Sequence, residues 1–232
     1  MSRATPTAPF RFAGVRFLVF DLDGTLIDSE LDLAHAVNAA LTHMGRAPLA
    51  HNQIFGYVGQ GAPRLIEQVL GPSATAEECR QGLEFFLAYY HDHMLDNTVT
   101  YPGVREGLAA LEGLAMAVLT NKPVRFSQRI IELLGLAPYF RFIYGGNSFE
   151  TKKPDPAGMQ VLLRDFGAEA RQVMLVGDSD VDVQTARNAG TWACGVSYGL
   201  GSERLAASPP DLLVDSLVEL AGFLDIANHP GG

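Results

Sequence analysis

Residues 19–30 read VFDLDGTLIDSE and set two carboxylates, Asp21 and Asp23, two positions apart between an apolar run and a glycine. Like charges that close repel, so the arrangement calls for a cation or a proton between them. The apolar run before them, 15–20, is rich in β-branched and aromatic residues and lacks polar alternation, as strands buried on both faces do. Similar runs recur at 114–119, 142–144 and 173–176, with weaker ones at 194–196 and 212–214. Helical patterns separate the later runs, at 124–134, 156–166 and 181–188. Strands alternating with helices predict an α/β fold with a Rossmann-like parallel sheet.

Residues 31–96 break that alternation. Leu31, Ala34, Val37, Leu41 and Met44 recur at helical spacing, and Gly45 ends the segment. A second helical stretch, 64–70, stops at Gly71 and Pro72, and Thr75 with Glu78 forms a capping box ahead of the apolar-rich 83–95. An all-helical insert in an α/β domain is a natural lid, with Tyr101, Pro102 and Gly103 as the hinge back to the core. The expected division is an N-terminal tail at 1–14, a core at 15–28 and 98–232, and a helical cap at 29–97.

Composition narrows the function. The chain has 232 residues, 47% of them hydrophobic, and a net charge of −9. That charge argues against nucleic-acid and membrane partners, both of which need a basic face, and favours a small-molecule substrate. No run approaches the roughly 20 apolar residues of a membrane span, and MSRATPTAPFRF lacks an export signal's apolar segment, so a cytoplasmic address is expected. Cys79 and Cys194 lie far apart and form no CxxC, which leaves no zinc knuckle or redox pair to expect. His91 and His93 would point about 200° apart on a helix, unable to share a metal. The sequence carries no signal for an oligomeric state.

In open α/β sheets ligands bind beyond the carboxyl ends of the strands, so polar residues directly after each run are the candidates. Asp21, Asp23, Gly24 and Thr25 follow the first run, and Thr120, Asn121 and Lys122 follow 114–119. Asp178, Ser179, Asp180 and Asp182 come after 173–176, and the run 142–144 feeds a loop with Lys152, Lys153 and Pro154. The chain's three lysines all belong to this set, although seventeen residues are Lys or Arg. Clustered carboxylates supply hard oxygen ligands of the kind that hold Mg²⁺ in an open site. A carboxylate such as Asp21 can attack phosphorus if positive charge, from the metal and Lys153, offsets the anionic repulsion. Asp23 can then protonate the departing oxygen and later deprotonate water.

With DLDGT, LT followed by NK, KKPDP and GDSDVD in that order, the chain resembles the haloacid dehalogenase superfamily over nearly its whole length. The resemblance implies that Asp21 is the nucleophile that becomes an aspartyl-phosphate and that Asp23 is the general acid and base. It further implies that Thr120 and Asn121 bind the transferring phosphoryl group and that Lys153 neutralises charge there. Mg²⁺ would be held by Asp21, the Asp23 carbonyl and Asp178, with Asp182 in support. Thr25, where sugar phosphomutases commonly carry valine, favours hydrolysis.

Within the superfamily LTNKP, KKPDP and VGDSDVDVQTARNAG followed by GVSYG are similar to the phosphoglycolate phosphatases, which implies hydrolysis of 2-phosphoglycolate. Inorganic pyrophosphatases and other small-molecule or sugar phosphatases share much of the same pattern. A phosphorylated signalling switch, built on a receiver-like acidic site, has no use for Asp23 or for the helical insert. In the cap, Gly59, Gly61 and Arg64 open a helix with Pro63 near its start, an arrangement suited to holding a substrate carboxylate.

Overall fold

The strand that leads into the opening stretch lies at the middle of the molecule. The computed structural model describes residue 12 and residues 14–226, so the expected N-terminal tail falls almost entirely outside the described residues. The strands are β1 (Phe17–Phe20), β2 (Ile27–Asp28), β3 (Val99–Thr100), β4 (Ala115–Leu119), β5 (Phe140–Tyr144), β6 (Val173–Gly177), β7 (Trp192–Val196) and β8 (Leu212–Val214). The helices are α1 (Glu30–His43), α2 (His51–Phe55), α3 (Ala62–Leu70), α4 (Ala76–His93), α5 (Val104–Ala110), α6 (Val124–Leu133), α7 (Ala157–Phe166), α8 (Asp180–Ala189) and α9 (Leu217–Ala221).

Six strands form a parallel sheet in the order β5-β4-β1-β6-β7-β8. Alternate residues of the inner strands enter different cores. Leu18 and Phe20 pack with Val118 and Val176 on one face, and Val19 packs with Ala117 and Leu175 on the other. That two-sided burial is why these runs carry no polar alternation. Met159 of α7 and Val183 of α8 close one face, while Leu108 of α5, Ile130 of α6 and Leu220 of α9 close the other. The core around Leu18 and Phe20 continues without a break into the insert through Leu41, Ile66 and Phe86.

Register fixes where the site forms. Phe20 lies opposite both Val118 and Val176, so the chain leaves β1, β4 and β6 at the same edge of the sheet. From β1 the order runs outward one way through β4 and β5, then crosses back to β6, β7 and β8, which opens a crevice at β1.

Helices α1 to α4 lie between β2 and β3, which pair antiparallel with Ile27 opposite Thr100 and Asp28 opposite Val99. Both connections to the insert therefore run side by side. Buried Asp32 ties them together, accepting hydrogen bonds from the Asn97 side chain (2.8 Å), the Thr98 amide (2.8 Å) and the Thr98 hydroxyl (2.7 Å). The Thr75–Glu78 capping box is formed, with Thr75 Oγ1 accepting from the Glu78 amide and Glu78 accepting from the Thr75 amide. It starts α4 at Ala76, seven residues ahead of the apolar stretch that marks the helix in the sequence. Among the described residues no helix is long and apolar enough to cross a membrane.

Candidate active site

The ends of β1, β4 and β6 and the insert enclose one cavity. Asp21 follows β1 directly, Thr120 and Asn121 follow β4, and Asp178 and Ser179 follow β6; all five line it. Asp23 and Lys122 complete the floor, and the cap supplies Gly59, Gly61 and Tyr90 on the opposite side. Lys153, from the loop after β5, and Asp182, on the first turn of α8, stand behind this surface, buried.

Lys153 organises the Asp21 end of the cavity. Its Nζ is hydrogen-bonded to Asp182 Oδ1 at 2.5 Å and lies 2.9 Å from Asp21 Oδ1. Burial works against charge on this lysine, but Asp182 and then Asp21 raise its pKa above the ordinary lysine value. The other Asp182 oxygen accepts from the Ser179 hydroxyl at 2.7 Å. Asp178 Oδ2 accepts from the Gly201 amide at 2.7 Å. Space for that carboxylate depends on bare backbone, since a Cβ on Gly24 would lie 2.3 Å from Asp178 Oδ2.

These groups suit a divalent cation. Ligand oxygens of Asp21, Asp178 and Asp182 lie within 4.8 Å of one another. Three carboxylates against one ammonium leave two negative charges in a buried space. Asp21 Oδ1 is buried and, although it pairs in charge with Lys153, accepts no aligned hydrogen bond among the described residues. An oxygen of that kind is a natural metal ligand. The imbalance also shows in the carboxyl groups: burial, reinforced by Asp182 and Asp21, raises the pKa of Asp178, and burial raises Asp21 against the pull of Lys153. A bound cation reverses that pressure.

Asp23 is held from two sides. Lys122 Nζ lies 2.8 and 3.1 Å from its two oxygens, and the Ser29 hydroxyl donates to Oδ1 at 2.6 Å. The Lys122 ammonium also sits 4.6 Å from the centroid of the Tyr90 ring, so this core lysine bridges the second carboxylate and the cap. Tyr90 packs against Phe86 and Phe126, and among the described residues its buried hydroxyl, close to the Lys122 ammonium, makes no well-aligned hydrogen bond. Burial pushes the Tyr90 phenol up to about 12.

The remaining sequence candidates divide. The Asn121 side chain is engaged with backbone: it donates to the carbonyls of Gly59 and Lys153, both at 3.0 Å, and accepts from the Lys153 amide at 2.9 Å. It thereby fastens the cap loop to the loop that carries Lys153. Thr120 Oγ1 accepts from the Lys122 amide at 3.3 Å. Gly24 and Thr25 lie behind the cavity wall, and the Thr25 carbonyl accepts from the Tyr198 hydroxyl at 2.8 Å. Arg64 is not brought to the site. Its side chain is 56% exposed and pairs at 3.0 Å with Glu67 one turn along α3, because the face of that helix carrying Leu65 and Ile66 is the one turned inward. The expectation that Arg64 meets a substrate carboxylate is corrected by this placement.

Sequence reasoning placed Lys122 among the candidates without a specific role and did not single out Ser29, Tyr90 or Arg204, the last of which lines the cavity from the 3₁₀ turn Ser202–Ala206. Lys122 had a signal in the scarcity of lysine. Tyr90 and Arg204 had none.

The model of the haloacid dehalogenase-like hydrolase family matches residues 18–196. A phosphoglycolate phosphatase from Pseudomonas fluorescens is 42% identical over 91% of this chain and 81% of its own length. One from Vibrio parahaemolyticus is 39% identical over 89% and 94%. Among solved structures, one described as a predicted phosphoglycolate phosphatase from Haemophilus somnus superposes with a TM-score of 0.84 at 32% identity, covering 90% of this chain and 97% of that one.

Proposed function

The chain belongs to the haloacid dehalogenase-like hydrolases, and from that premise we propose a cytoplasmic, Mg²⁺-dependent phosphatase whose substrate is 2-phosphoglycolate, released as glycolate and phosphate. The observation that carries the reading is the buried group of Asp21, Asp178 and Asp182 around Lys153, at the floor of a cavity between core and cap. The names of relatives at about 40% identity support the choice of substrate.

Asp21 and Asp178, with the Asp23 carbonyl, would hold Mg²⁺, and Asp182 would support them through Ser179 and Lys153. When bound, the metal supplies positive charge against the phosphoryl oxygens. A carboxylate oxygen of Asp21 attacks phosphorus, forming an aspartyl-phosphate as the ester P–O bond breaks. Asp23 relays a proton from the incoming phosphate monoanion to the departing glycolate oxygen, then takes one from the water that attacks the same phosphorus and frees Asp21. Lys153 stays charged beside Asp21 throughout, offsetting the negative charge that gathers there. Apolar cap residues such as Leu65 and Phe86 keep bulk water from the acyl phosphate.

The test is phosphate release with Mg²⁺ from 2-phosphoglycolate, inorganic pyrophosphate, glucose 6-phosphate and ethyl phosphate. The highest kcat/KM is expected for 2-phosphoglycolate. A clear preference for pyrophosphate or the sugar phosphate would overturn the substrate, and undiminished turnover after metal stripping would overturn the mechanism.

A further inference from the structure

Resting on the phosphatase reading above, we propose that Arg204 receives the carboxylate at the far end of the substrate, so that this core residue selects anionic-tailed phosphoesters. The phosphate end of the cavity is strongly acidic, with Asp21, Asp23 and Asp178 on its surface. A second negative charge on a small substrate is therefore repelled unless a cation meets it.

Among the described residues lining the cavity, two side chains are permanently cationic, Lys122 and Arg204. Lys122 is committed to both oxygens of Asp23 at 2.8 and 3.1 Å. Arg204 is held more loosely: Nη2 lies 3.4 Å from the Val58 carbonyl of the cap loop, and Nε lies 3.5 Å from Asp180 Oδ1. The first is a long hydrogen bond and the second an ion pair without hydrogen-bond geometry, and the side chain keeps 35% exposure. A guanidinium presents five N–H donors in a fork that matches a carboxylate, so donors remain for a ligand.

The backbone makes room for this side chain. A Cβ on Gly201 would lie 2.7 Å from Arg204 Nη2 and 2.8 Å from Ser179 Cβ, so a bare residue there lets the guanidinium fold back over Ser179. Across the cavity the cap approaches at Gly59, whose φ is +117° and where a Cβ would lie 3.6 Å from Nη2. The Gly201 amide also holds Asp178, so one short segment spans the metal end and the tail end of the cavity. Core and cap meet at Arg204, and a carboxylate there would draw the Val58–Gly59 loop and the core onto one ligand.

The experiment compares kcat/KM for 2-phosphoglycolate with that for 2-hydroxyethyl phosphate, which has the same length and a neutral tail, in wild type, Arg204→Met and Arg204→Lys. The ratio of the two should fall by about ten- to a hundredfold in Arg204→Met, mainly through KM, and recover in part in Arg204→Lys. An unchanged ratio, whether both activities fall together or neither does, overturns the proposal and leaves Arg204 as a prop for the cap loop. A wild type that is slow on 2-phosphoglycolate but prefers another anionic-tailed ester such as 3-phosphoglycerate, with that preference lost in Arg204→Met, supports Arg204 and overturns the substrate. A wild type without preference for any anionic tail overturns the proposal.

Discussion

Lys122 is buried, bonded to both oxygens of Asp23 and set over the Tyr90 ring, so its removal leaves Asp23 with the Ser29 hydroxyl alone. Breaking such a pair strands a charge in a poorly solvated place, and Lys122→Met is expected to cost about 3 kcal/mol in urea denaturation. Adding Asp23→Asn to Lys122→Met should restore most of that loss, because the stranded charge goes with it. Additive losses would mean that the two residues do not depend on each other. The carboxylates and Lys153 were legible in the sequence because phosphoryl chemistry admits few residue types directly after a strand. Arg204 was hidden among many arginines in a loop without periodicity, and Tyr90 sat in an aromatic run, FFLAYY, that fits an ordinary core equally well. Arg64 carried a signal that misled: a glycine-flanked helix start says that an anion can bind at the helix end, not where the fourth residue's side chain points.

At the scale of elements, the clip between the two connections of the insert turns on Asp32. Burial pushes its carboxyl pKa up, but the hydrogen bonds from Asn97 and Thr98 outweigh that and leave it below the ordinary aspartate value. A depressed folded pKa means that the group stabilises the fold above its unfolded pKa and loses that contribution as pH falls through the folded value. Asp32→Ala orphans several donors at once and should cost about 3 kcal/mol near neutrality, with the difference from wild type shrinking in acid. Amide exchange at Asn97 and Thr98 should rise in the same variant; unchanged protection there would show that the ribbon β2–β3 alone holds the connections. The longer elements were readable from apolar periodicity and caps. The two-residue strands β2 and β3 and the five-residue helices α2 and α9 were not, because a pattern needs more than one turn or alternation to register.

Over the whole molecule, the sheet edge that gathers the carboxylates follows from parallel order and could be inferred from strand ends alone. The pairings of Gly59 with Asn121, Val58 with Arg204 and Tyr90 with Lys122 depend on how the cap sits on the core, which no local pattern records. The acidic centre has a consequence for stability. Without a metal, the folded state holds protons on Asp21 and Asp178 that the unfolded chain has already released, so stability declines as pH rises above the ordinary carboxylate range. In EDTA, Tm should therefore fall between about pH 5 and pH 8, and Mg²⁺ should raise it more at the upper end, where it no longer competes with those protons. A Mg²⁺-induced shift that is equal at both ends would mean that the cation binds elsewhere. The central claim is that phosphate passes through Asp21. Its most direct test is rapid acid quenching of the enzyme during turnover of radiolabelled 2-phosphoglycolate with Mg²⁺, followed by peptide mapping. The account predicts label on Asp21, absent in Asp21→Asn; turnover with no labelled peptide, or a full rate in Asp21→Asn, would contradict it.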